Sequence, residues 1–107
     1  MTYDVALTEL ALQDLDGIHA FLLEREGALR ATAIQNGLLG LIESLHSQAQ
    51  RGHLPPELEG MGVLNTFEVH FKPYRILYQI QKRSVIVFLV ADGRRNFTHL
   101  ISRRVVL

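Results

Sequence analysis

The hydrophobic period changes once along this chain, and that change leaves few folds open. From residue 9 to residue 50 apolar side chains return every three or four positions; from residue 67 to residue 80 they alternate. The first pattern writes helices with one apolar stripe. The second writes strands with one buried face. The stretch between them, RGHLPPELEGMGVLN over residues 51–65, holds Pro55, Pro56, Gly60 and Gly62. These residues break helix and strand alike, so an ordered connector is expected, with one turn around Glu57 to Gly60.

Within each region the punctuation is readable. Residues 3–7 are β-prone, and Thr8 is a fitting helix N-cap with Glu9 at the positive end of the helix dipole. Ala11, Leu15, Ile18 and Leu22 form one stripe, and Gly27 marks the stop. A second helix is expected from about Ala28 to Gln50, with Ile34, Leu38, Leu41, Ile42, Leu45 and Ala49 on its apolar side. So short a link forces an antiparallel helical hairpin. Phe67, Val69 and Phe71 then alternate with Glu68, His70 and Lys72, which fall on the wet side of a strand. After a break at Lys72-Pro73, Tyr74, Ile76, Tyr78 and Ile80 share one face and Leu77 lies on the other. Lys82-Arg83-Ser84 makes a tight connection to residues 85–91, VIVFLVA, which are apolar on both faces and suit a central, fully covered strand. Asp92-Gly93 ends it, and Phe97, Leu100 and Ile101 fit a short returning helix. The order β-α-α-β-β-β with a terminal helix predicts an α+β fold, a helical hairpin packed on one face of an antiparallel sheet.

Length and composition narrow the function. The 107 residues suit one domain spanning 1–107. There is no cysteine, which removes disulfides and thiolate metal sites and fits a reducing cytoplasm. The acidic start MTYDVALTELALQD lacks the basic-then-apolar order of a signal peptide, and the longest wholly apolar run, Val85 to Ala91, is too short for a membrane span. The five histidines, at 19, 46, 53, 70 and 99, show no ligand spacing, so neither a metal nor another cofactor is expected. No glycine-rich phosphate loop and no nucleophile elbow is present. Zero net charge conceals a split: residues 1–68 carry three basic against ten acidic residues, and residues 69–107 carry eight against one. The C-terminal half therefore either faces an anionic partner or is neutralised by the N-terminal half within the fold.

The stretch FKPYRILYQIQKRSVIVFLVADGRRNFTHL, residues 71–100, resembles the C-terminal half of toxins of the RelE/ParE superfamily, most of all in KPYRILYQI and ADGRRNF. Ala11-x-x-Asp14-Leu15-x-x-Ile18 resembles the first helix of ParE-like, plasmid-stabilisation-type members, and HLPPELEGMG resembles the stretch before their second strand. The resemblance implies a growth-arresting toxin, silenced by a cognate antitoxin whose extended tail wraps it. A homodimer or a toxin–antitoxin hetero-oligomer fits the same family. ParE-like members poison DNA gyrase and need no nuclease chemistry. RelE-like members cut messenger RNA on the ribosome, and an inactive, purely regulatory member is a third class.

The candidate residues follow from that division. Lys72, Arg75, Arg94, Arg95, Arg103 and Arg104 are candidates for binding a target or antitoxin. Metal-free RNA cleavage needs a base for the 2′-hydroxyl, a cation for the phosphate and an acid for the leaving oxygen. Glu68, His70, Arg75, Arg95 and His99 are the candidates here. Against this, Glu68 and His70 stand where the resemblance places basic residues in ribosome-dependent enzymes, and Ile101 lies near the place of the RelE tyrosine. The plainer expectation for Arg75 is an ion pair with Asp14 or Glu68. The binding mode on gyrase is therefore the expected one.

Overall fold

The computed structural model describes residues 2–104. Its elements are β1 (Asp4–Leu7), α1 (Glu9–Glu26), α2 (Ala28–Ser44), a 3₁₀ turn (Pro56–Leu58), β2 (Thr66–Phe71), β3 (Tyr74–Gln81), β4 (Ser84–Asp92) and α3 (Phe97–Ser102). Thr8 caps α1 by accepting the Ala11 N–H at 3.1 Å, and Gly27 (φ 89°) alone joins the two helices. The strands lie in the order β1-β4-β3-β2. β2, β3 and β4 form the expected antiparallel meander. β1 pairs parallel to β4, so β4 is central and β2 is an edge. Two-residue turns at Lys72-Pro73 and Lys82-Arg83 close the meander, the first through a cis peptide and the second with Lys82 at φ 57°.

The helical hairpin covers one face. Ala11, Leu15 and Leu22 of α1 and Ile34, Leu38 and Ile42 of α2 pack with Ile76, Tyr78, Val85, Val87 and Val90. Each large aliphatic side chain buried here contributes about 1.5–3 kcal/mol. Gly37 faces the Phe71 ring, and a Cβ there would lie 2.2 Å from that ring. The opposite face of the sheet carries a smaller layer of Leu58, Leu77, Phe88, Leu89, Ala91, Phe97 and Ile101. A bulge sets up this division. Leu77 lies opposite Leu89 and Tyr78 opposite Val87, so Phe88 is the extra residue. Beyond it the faces exchange: Val85 and Val87 point to the hairpin, Phe88 and Leu89 away, Val90 back again.

The second helix ends at Ser44, six residues before the apolar period does. Ser44 donates its hydroxyl to the Leu41 carbonyl at 2.6 Å, and turns follow. The backbone leaves the helix for tertiary partners. The His46 carbonyl accepts the Tyr3 N–H, His46 Nδ1 donates to the Tyr3 carbonyl at 2.7 Å, and the Ala49 carbonyl accepts the Tyr78 hydroxyl at 2.7 Å. Leu45 and Ala49 remain buried, which is why the stripe continues without a helix beneath it.

α1 and the end of the described chain are tied to β4. β1 ends beside Val87, and past that point β4 has no strand neighbour on that side. Asp14 fills the gap by accepting the Val90 N–H at 2.9 Å. The same carboxylate holds Arg104 bidentately at 2.7 and 2.9 Å, and Arg104 also donates to the Phe88 carbonyl at 2.9 Å. No described helix is long and apolar enough to cross a membrane.

Candidate functional site

Strand register brings the first candidates together. His70 lies directly opposite Arg75, and Glu68 lies two residues back on the same face, turned away from the hairpin. The connector covers that face. His53 forms a bridge pair with Glu68, with N–H to carbonyl distances of 3.1 and 2.7 Å, and the 3₁₀ turn presents Glu57.

Glu68 is therefore not on the wet side of its strand, as alternation alone would have it. Its side chain is 1% exposed. Oε1 accepts from Arg75 Nε at 2.6 Å and lies 3.1 Å from His70 Nε2; Oε2 lies 3.2 Å from His53 Nε2. Arg75 donates its other two nitrogens to Glu57 at 2.9 and 2.7 Å, and its guanidinium carbon stands 3.9 Å from the centre of the Phe97 ring. Bidentate pairing with Glu57, joined by Glu68, pushes the guanidinium further above its already high range, against some loss of solvation. Arg75 in turn holds the Glu57 carboxyl below the ordinary carboxylate range. Of the two pairings expected for Arg75, the one with Glu68 forms; Asp14 belongs to Arg104.

The histidines show no ligand spacing along the chain, but the topology gathers three potential ligands at one point. The connector carries His53 across the sheet edge, so that ligand atoms of His53, Glu68 and His70 lie within 4.8 Å of one another. Fourteen intervening residues between His53 and Glu68 hid the pairing. The i, i+2 step from Glu68 to His70 was the available signal.

The remaining candidates lie elsewhere. Arg94 is exposed and pairs with Asp92 at 2.9 and 2.6 Å, a fork that draws the Asp92 carboxyl down to about 2. Arg95 is exposed between two depressions. One depression is a groove of about 440 Å³ between α1 and the ends of β3 and β4, lined by Ile18, Phe21, Tyr74 and Val90 among others. The other is shared with His99 and Arg103. Asn96 caps α3 by accepting the His99 N–H at 3.1 Å, leaving the His99 ring exposed. Lys72 is exposed in its turn. Arg104 points inward, because Asp14 and the Phe88 carbonyl offer three hydrogen bonds within a partly buried site. Two of the C-terminal arginines, Arg75 and Arg104, thus neutralise N-terminal acids within the fold, while Arg95 and Arg103 stay exposed.

A family model described as the ParE toxin of the type II toxin–antitoxin system, parDE, matches residues 5–97. No curated protein matches the sequence. Among solved structures, the chromosomal ParDE system of P. aeruginosa is 15% identical, with a TM-score of 0.70 over 85% of this chain and 96% of that one. A double mutant of the E. coli toxin RelE in the free state is 15% identical, with a TM-score of 0.66 over 96% and 98%. The RelBE2 toxin–antitoxin complex of Mycobacterium tuberculosis is 23% identical, with a TM-score of 0.60 over 86% and 99%. These likenesses establish a shared fold.

Proposed function

Since this chain belongs to the family of ParE toxins of type II toxin–antitoxin systems, we propose that it acts by binding rather than by cutting RNA, with DNA gyrase as its cytoplasmic target and a cognate antitoxin as its silencer. The observation that carries this is the state of Arg75. A phosphate-binding cation must present its N–H groups to solvent, and Arg75 gives three of its five to two carboxylates while only 13% of its side chain is exposed. Those carboxylates repel the phosphate that a nuclease must hold. Arg95 and His99 line a depression that does not include Glu68 or His70, so the five nuclease candidates do not surround one reacting atom.

The antitoxin reading draws on the groove beside α1. Its floor is apolar through Ile18, Phe21, Tyr74 and Val90, and Arg94 and Arg95 stand among its lining. An acidic amphipathic segment matches that pattern. Complexes of the same fold from P. aeruginosa and M. tuberculosis are toxin–antitoxin pairs, which supports a partner of this kind. One contact favours a second reading: Glu68 and His70, 3.1 Å apart, would serve as base and acid of an RNA endonuclease.

The deciding experiment adds the purified chain to gyrase and relaxed plasmid. Supercoiling is expected to stop, and to resume when a cognate antitoxin is added. Full supercoiling at saturating chain refutes the gyrase assignment.

A further inference from the structure

We propose that His53, Glu68 and His70 form a binding site for a divalent transition-metal ion of the zinc class, a role separate from target binding. Two imidazoles and one carboxylate suit zinc and its neighbours rather than calcium or magnesium, which favour all-oxygen shells. The spacing fits. Ligand atoms about 2.0–2.2 Å from a tetrahedral Zn²⁺ stand roughly 3.3 Å from each other; His70 Nε2 lies 3.1 Å from Glu68 Oε1, His53 Nε2 lies 3.2 Å from Oε2, and one ligand atom from each of the three residues falls within 4.8 Å of the others. Both rings are reachable from solvent, with side-chain exposures of 61% for His53 and 43% for His70. Small rotations about their side-chain bonds bring the nitrogens around one ion, and the solvent side leaves a fourth position for water.

The surroundings favour a cation there. Glu57, Glu68 and Arg75 together carry a formal charge of −1, so the carboxylate meeting the metal is not cancelled by the arginine behind it. Arg75 Nε holds Glu68 at 2.6 Å, and Glu57 holds Arg75, which fixes the carboxylate in place as supporting hydrogen bonds do at metal sites. The ion would join the connector to the edge strand. His53 comes from residues 51–65, whereas Glu68 and His70 come from β2, and a backbone bridge pair already joins the two at this point. A bound metal adds a tie across the same junction and shields the edge that β2 presents.

The test uses untagged full-length chain, freed of metal by a chelator and titrated calorimetrically with Zn²⁺. One ion per chain is expected, with His53→Ala and His70→Ala each weakening binding by more than about 100-fold, beyond the usual cost of losing only a supporting hydrogen bond. His99→Ala, outside the cluster, is expected to bind like the parent. Because both ligand histidines are exposed, the variants keep the parent's circular-dichroism spectrum. In the unmutated chain, Co²⁺ should give a visible d–d band and broaden the ring signals of His53 and His70 selectively. Absence of binding, unchanged binding in both variants, or Co²⁺ broadening centred on His19, His46 or His99 overturns the site. None of these readouts depends on gyrase or RNA.

Discussion

Replacing Asp14 with alanine removes one side chain from α1 and strands groups on two other elements. The Val90 N–H loses its acceptor at a place where no strand replaces it, which costs about 1–3 kcal/mol. Arg104, with 16% of its side chain exposed, loses a bidentate partner but keeps the Phe88 carbonyl. Breaking a fully buried pair costs about 3–5 kcal/mol, and partial exposure with one surviving bond lowers that to about 1 or 2 kcal/mol. Asp14→Ala is therefore expected to lower folding stability by about 3 kcal/mol in urea unfolding followed by circular dichroism. Arg104→Met should cost only about 1 kcal/mol, because Asp14 then keeps the Val90 N–H. The double variant should fall short of the sum by about 1 kcal/mol, the signature of a coupled pair. Hydrogen exchange in α3, which ends two residues before Arg104, should quicken in both single variants. An Asp14→Ala cost within about 0.5 kcal/mol, or strictly additive variants, would mean that Asp14 does not hold both groups at once.

Gly52→Ala places a Cβ 2.6 Å from both the Glu68 carbonyl and the Tyr78 hydroxyl. The connector must then move off β2, at about 2 kcal/mol, and an unchanged thermal midpoint would contradict this packing. The Glu57 pair predicts a pH dependence. Arg75 holds the folded-state carboxyl below its unfolded value, so its contribution is complete above about pH 5 and is lost as pH falls through the folded value. Glu57→Gln should flatten the stability profile between about pH 5 and pH 3; an unaltered slope in urea titrations across that range would show the pair to be energetically idle.

The elements were legible wherever local chemistry decides them. Thr8 and Gly27 sit at real caps, and the change from helical to alternating period falls where the meander begins. What escaped local reading is set by distant contacts. α2 stops at Ser44 because Tyr3 and Tyr78 supply partners for the backbone beyond it. The bulge at Phe88 is hidden in a run where every residue is apolar, so exchanging faces leaves no mark on the pattern. Alternation put Glu68 and His70 correctly on one face. It could not reveal that the connector and α3 build a second layer over that face, which buries Glu68 and engages Arg75. Charge counting found the split between the two halves, but tertiary contacts separate Arg75 and Arg104, turned inward, from Arg95 and Arg103, left exposed.

The proposed binding mode requires that growth arrest occur without RNA cleavage at the Glu68–His70–Arg75 cluster. Primer extension on abundant messages during arrest, comparing the chain with His70→Ala, separates the two modes. Intact 5′ ends in both cases and equal arrest are expected. New ends phased with codons, present with His70 and missing with alanine, would contradict the binding mode.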